Sequence, residues 1–413
     1  MRVTFLPLLI CIVFTPPGLA YLGLSSSQSL GTMIAGVLAI FLAVVLLNLS
    51  YLRLIDLVKI ILLLILGLIL HLVLAAVQGP VDFYRGLLSL LPLTLMILGA
   101  WAIAELFLNV RGRIIKKGLR GVLLVLGVVA LLGVKGWLQP QGLFFYPKPV
   151  FPFSEPSHLA IISVPFFIFS ATTARFSIRL ILLIGCLLVA LTLENLTTVL
   201  VFLIVLFFSI KIRYLVIFAF ASIPILQTLD LSYYVERIDL SAQSQNLSAL
   251  VYLQGWQLLQ ESMEKTLGMG VGFQQLGMFE TSVTASLQLE QLLGESLNLM
   301  DGGFNLSKLI SEFGIFGGVL LVGYLRIAVR AIFLLRRVSF NGESAPVYVV
   351  FSASCIVGYL VELLVRGVGY FTPTGMLLIA SIIMWRRHSI PLMGIKPYLK
   401  KDLVPKSILG KTA

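Results

Sequence analysis

Residues 57–77 read LVKIILLLILGLILHLVLAAV, an apolar run interrupted only by Lys59 near its start and His71 near its end. A helix needs about 20 such residues to cross the hydrocarbon of a bilayer. The same pattern recurs along the chain. Runs at 3–23, 30–49, 87–108, 121–134, 158–173, 178–193, 197–210, 214–229, 312–335, 346–365 and 371–385 bring the total to about twelve spans, the shorter ones shielded by neighbours. The expected fold is therefore an all-α, polytopic integral membrane protein forming a single membrane domain over residues 1–413.

Composition agrees. With 59% hydrophobic and 12% charged residues, the chain carries about half the charge that the surface of a soluble globule requires. The net charge of +12 does not point to nucleic acid, because the basic residues sit in small clusters at the ends of apolar runs. Cys11, Cys186 and Cys355 each lie inside such a run. With no CxxC and no histidine at ligand spacing, neither a disulfide framework nor a metal site is expected. Residues 1–20 can be read as a cleavable signal or as a first helix, and the topology favours the helix.

Lys and Arg next to a span resist translocation, whereas acidic residues matter little. Arg2, Arg53, Lys59, the run 111–120, Arg175, Arg179, Lys211, Arg213, Arg336, Arg337 and the tail from Arg386 all fall on one side. That side is expected to be cytoplasmic, with both termini in it and the basic tail 386–413 lying on anionic lipid.

Two outward segments are more than connectors. The loop 135–157, rich in Pro and Phe, is expected to lie as a stiff aromatic ribbon on the membrane surface. The larger loop, 230–305, is too polar to span. In it Tyr252, Trp256, Leu259 and Met263 share one helical face, the pattern of an interfacial helix. A second amphipathic piece follows, with Leu289, Leu292, Leu293, Leu297 and Met300 on one side.

Chemistry-bearing residues concentrate in these loops. Ser154-Glu155-Pro156-Ser157-His158 opens the sixth span from outside; it reads either as helix capping or as a carboxylate and an imidazole poised as general base. Tyr233, Tyr234, Glu236, Arg237 and Asp239 follow the ninth span. There Arg237 is either an interface anchor or a guanidinium for a diphosphate, with Glu236 and Asp239 orienting it or acting as base. Gly268, Gly270 and Gly272 lack the strand and lysine of a nucleotide loop, so a tight turn approaching another helix or a substrate is expected. His71 is expected to be a neutral packed histidine. Lys308 with Glu312, and Glu362 with Arg366, are each four apart and expected to pair; the second pair could equally line a cavity.

In order and spacing over 151–321, the FSEPSH entry, the large late loop, the LGMGVGF turn and the DGGFNLSKLISEFGIFGG run resemble the O-antigen polymerases (Wzy type) and their polymerase and ligase superfamily. The resemblance implies a metal-independent, cofactor-free glycosyltransferase in the bacterial inner membrane. Its substrate would be an undecaprenyl-diphosphate-linked oligosaccharide at the periplasmic face, with a flippase and a chain-length regulator as partners. Arg237 matches the arginine at the start of the family's large loop, and Glu155 and His158 match its acidic entry motif. Two departures stand out. Gln245-Asn246 occupies the place of a mid-loop arginine, and Glu194-Asn195 that of a serine-arginine pair, so Arg366 or Lys265 would have to supply the second cation. Gly270, Gly272, Tyr233 and Tyr234 complete the expected substrate-binding set. The rival readings are an O-antigen ligase, disfavoured by the lack of histidine in 230–304, and a flippase or secondary transporter, disfavoured by the length of that loop.

Overall fold

The structure, a computed structural model, describes residues 5–25, 27–47, 51–134, 150–228, 232–241, 244–278, 281–294 and 297–389. Among these the fold is all-helical. The helices are α1 (Phe5–Tyr21), α2 (Ser29–Leu47), α3 (Tyr51–Gln78), α4 (Phe83–Leu88), α5 (Leu90–Asn109), α6 (Gly112–Val134), α7 (Pro156–Thr173) and α8 (Phe176–Leu193). They continue with α9 (Leu196–Ser209), α10 (Ile212–Thr228), α11 (Ser232–Ile238), α12 (Leu247–Lys265), α13 (Thr284–Leu293), α14 (Asn305–Phe340), α15 (Val347–Leu364) and α16 (Pro373–Ser389).

Among the described residues, each segment expected to span overlaps a helix. Among the described residues, seven stretches are long and apolar enough to cross a membrane: Ser29–Leu47, Ile55–Gln78, Phe83–Asn109, Pro156–Thr173, Phe176–Leu193, Asn305–Phe340 and Val347–Leu364. α7 and α15 form the buried centre. α3, α8 and α14 keep rows of large apolar side chains exposed, such as Leu63, Leu66, Ile181 and Val319. An exposed apolar belt around an apolar core is what lipid, not water, tolerates.

Small residues set how closely the helices approach. Gly31, Ala35, Ala39 and Ala43 make one buried stripe along α2, and a Cβ on Gly99 of α5 would meet the Gly36 Cα at 2.5 Å. Such spacing lets backbones touch where lipid offers no hydrophobic drive between helices. Gly358 of α15 likewise admits Pro165 of α7, whose Cγ lies 3.0 Å from where a Cβ would stand. The buried Glu105 of α5 is paired with Arg387 of α16 at 2.6 Å.

The structure adds detail to the expectations about the loops. The face of α12 carrying Tyr252 and Trp256 is stacked on Phe304, at 4.7 and 5.2 Å, and its opposite face is buried from Ala249 to Ser262. The face named in the sequence is nonetheless the more exposed one, with Trp256 43% exposed. The second amphipathic piece is short, because α13 stops at Leu293 against Gly294, whose φ of +74° ends the helix. In the first loop, residues 135–149 lie outside the described residues. Its end turns inward: Val150 and Phe153 exchange two backbone hydrogen bonds, and Phe153 is fully buried beside Phe14.

Candidate functional site

The starts of three helices meet at one cleft. Glu155, Pro156 and Ser157 at α7, Asn195 to Thr197 at α9, and Asn246 to Ser248 at α12 line a cavity of about 810 Å³. Sequence dictates two of these starts. Asn195 Oδ1 accepts from the backbone N–H groups of Thr197 and Thr198 at 3.0 and 3.3 Å. Asn246 Oδ1 does the same for Ser248 and Ala249 at 3.0 and 3.3 Å. An asparagine cap contributes about 1 kcal/mol to its helix.

Arg237 from α11 and Arg366 from just beyond α15 complete the polar wall, and Leu193, Leu240, Leu247, Leu293 and Val365 supply the apolar one. A helix start favours an anion by about 0.3–1 kcal/mol, whereas a hydrogen bond to a guanidinium contributes about 1.5–3 kcal/mol. The two arginines are therefore the strongest anion-binding groups of the wall, with the helix starts beside them and the carboxylates of Glu155 and Glu194 set against them.

Glu155 is the counterweight. It stands at the N-cap position of α7 yet makes no side-chain cap bond, so the capping role is not the one its carboxylate plays. Arg366 Nη2 donates to both of its oxygens at 3.1 Å, and Ser157 Oγ donates at 2.9 Å. Burial works to raise the Glu155 carboxyl, but Arg366, His158, the Ser157 hydroxyl and Arg237 outweigh it and hold it below its usual range. Glu155 is thus an ionised carboxylate restrained by a guanidinium. His158, the third residue of α7, is half-buried and not on the cleft wall, with Nδ1 2.9 Å from Ser154 Oγ.

The other expected site residues are elsewhere. Glu236 and Asp239 are exposed and do not line the cleft; Asp239 Oδ1 accepts from the Ser241 backbone at 2.9 Å. Tyr234 is half-buried on α11 and also off the cleft wall. The Tyr233 side chain lies outside the described residues. Lys265 pairs with Glu261 at 3.0 Å at the far end of α12.

Gly270 and Gly272 serve packing. α14 is broken at Gly314, where φ is +55°, and the glycine turn lies against the break. Val271 N donates to Ser311 O, Gly272 N to Glu312 O, and Ile315 N to Gly268 O, at 2.9, 3.0 and 2.9 Å. His71 belongs to this region too, packed as expected, with Nε2 3.0 Å from Met269 O and its ring stacked on Phe313.

The Glu362–Arg366 pair does not form. α15 ends at Leu364, so Arg366 leaves the helical face that a spacing of four assumes and turns to Glu155. Lys308 and Glu312, on continuous helix, do approach, at 3.8 Å.

A scan against protein-family models, a search of curated proteins and a search of solved structures find no match to this chain. The positions where the sequence departs from the polymerase pattern can still be located. Glu194, Asn195, Gln245 and Asn246 all line the cleft, and the two asparagines have their amide oxygens committed to helix caps.

Proposed function

We propose that this protein is a polysaccharide polymerase of the O-antigen type, acting on O antigen, capsule or exopolysaccharide. In this reading it has about twelve spans, cytoplasmic termini and a periplasmic 230–305 loop in the bacterial inner membrane. It joins an undecaprenyl-diphosphate-linked glycan to a lipid-linked repeat unit, alongside a flippase and a chain-length regulator. The observation that carries the reading is the meeting of Arg237, Arg366 and Glu155 with three helix starts in one partly apolar cleft.

The chemistry follows from charge. The diphosphate of the donor carries negative charge that grows as the anomeric carbon–oxygen bond breaks, and Arg237, Arg366 and the helix starts hold it. The acceptor hydroxyl forms the new bond to the anomeric carbon and gives its proton to a carboxylate, for which Glu155 is the candidate. Arg366 links the two tasks. A diphosphate that draws this guanidinium away releases Glu155 from its ion pair, raising its basicity when the donor is in place. The positive charge comes from side chains and backbone, so the step needs no cofactor.

The test is Arg237→Ala in the native host. Loss of a transition-state donor costs about 10²–10³ in rate, so polymer should disappear while protein level and single-repeat glycan persist. Polymer of normal length would remove the site. Loss of the single repeat as well would favour flipping over polymerisation.

A further inference from the structure

The Arg366 N–H donates to Val361 O of α15 at 3.2 Å, but the chain beyond it gives the side chain little support. Residues 366–369 have no regular structure and include Gly367 and Gly369, the latter at φ +84°. A glycine-rich segment loses more freedom on ordering than any other, yet Arg366 meets Glu155 with both carboxylate oxygens in range. Something outside the segment must fix it.

Glu362 is placed to do so. It is fully buried, four residues before Arg366. It accepts from Asn305 Nδ2 at 3.1 Å, from Thr372 Oγ1 at 2.9 Å, and from Thr374 Oγ1. One carboxylate thus grips the chain on both sides of residues 363–371 and ties it to the start of α14. Asn305 extends the grip, donating also to the Tyr359 hydroxyl at 3.0 Å. Gly367 N donates to Gly303 O at 3.0 Å, and a Cβ on Gly367 would meet Asn305 N at 2.6 Å, so the segment lies directly on α14. Gly303 itself lines the cleft.

We infer that Glu362 is a positioning residue: by closing residues 363–371 into a fixed loop against α14, it holds the Arg366 guanidinium in the cleft. The functional weight of this rests on the reading of the cleft as a diphosphate site, but the geometry can be tested without it.

The experiment is phenylglyoxal labelling of the purified full-length chain, read peptide by peptide, with Arg179 as the internal reference at the distant ends of α7 and α8. In Glu362→Ala the Arg366 labelling rate should rise about ten-fold, the opening expected when a buried hydrogen-bonded group is removed, while Arg179 is unchanged. Glu362→Gln, which keeps the shape and an acceptor, should show a smaller rise. An unchanged Arg366 rate overturns the inference, and so does an equal rise at Arg179, which would mark general loosening. If Glu362→Ala does not fold, the Thr372→Val/Thr374→Val variant is judged by the same two criteria. Inorganic pyrophosphate added to the wild-type chain tests the other reading separately. Lack of protection at Arg366 counts against the diphosphate site and leaves the rate comparison between variants to decide the role of Glu362.

Discussion

Glu155 and Arg366 meet across 211 residues of chain, and the pairing has a pH signature. Arg366 first, then His158, Ser157 and Arg237, depress the Glu155 carboxyl against the upward push of burial. A depressed carboxyl stabilises the fold fully above its unfolded value, near the usual 4.5, and loses that contribution as pH falls through the lower folded value. The thermal midpoint of the wild-type protein should therefore drop more steeply than that of Glu155→Gln as pH falls from about 4.5 towards the lower folded value. The Glu155 side chain is 40% exposed, so solvent screening limits the difference to about 1 kcal/mol or less. Parallel curves would show that the ion pair contributes nothing to stability. At this scale the sequence exposed Glu155 and Arg237, because each is a charge beside an apolar run. It did not expose the Glu155–Arg366 pair, because a spacing of four predicts a partner only where the helix continues, and α15 stops two residues short of Arg366.

Among elements, the broken α14 explains the glycine cluster. A helix interrupted at Gly314 leaves backbone groups without helical partners, and these are tolerated at membrane depth only if protein satisfies them. The turn at 268–272 does this with three hydrogen bonds. Gly270, at φ +85°, has no room for a side chain: a Cβ would meet Glu312 O and Gly314 N at 2.5 Å. Gly270→Ala should lower stability in detergent by roughly 1–3 kcal/mol, the range for enforced backbone strain. Gly127→Ala and Gly185→Ala, on helices with nothing near the added methyl, should be neutral or stabilising by about 0.5–1 kcal/mol. Equal midpoints for Gly270→Ala and wild type would mean the turn does not complete the helix. The spacing of the glycines announced a close backbone approach. Which helix they approach depends on the break at Gly314, and a lone glycine in an apolar run gives no sign that its φ is positive.

For the whole molecule, the opposite ends of the same helices carry opposite chemistry. α7 and α9 begin at the cleft and end at Thr173 and Ser209, where Arg179 Nε donates to Ala174 O and Arg336 Nη1 to Ile210 O, both at 2.9 Å. Cations at helix C-termini, and the anion site proposed at their N-termini, both follow the helix dipole. The distribution of Lys and Arg, which showed in the sequence as clusters at span ends, thus acquires a structural axis, with the cleft at the pole away from those basic clusters. By the positive-inside rule the cleft is then expected to face outward. Single cysteines, introduced after replacing Cys11, Cys186 and Cys355, test this in spheroplasts with a membrane-impermeant maleimide. Ser241→Cys and Ser282→Cys, on exposed outer-loop positions, should label in intact spheroplasts. Lys117→Cys and Lys211→Cys should label only after permeabilisation. The reverse pattern would put Arg237, Arg366 and Glu155 in the cytoplasm, where a glycan already carried outward on its lipid cannot reach them, and the polymerase reading would fall with the orientation.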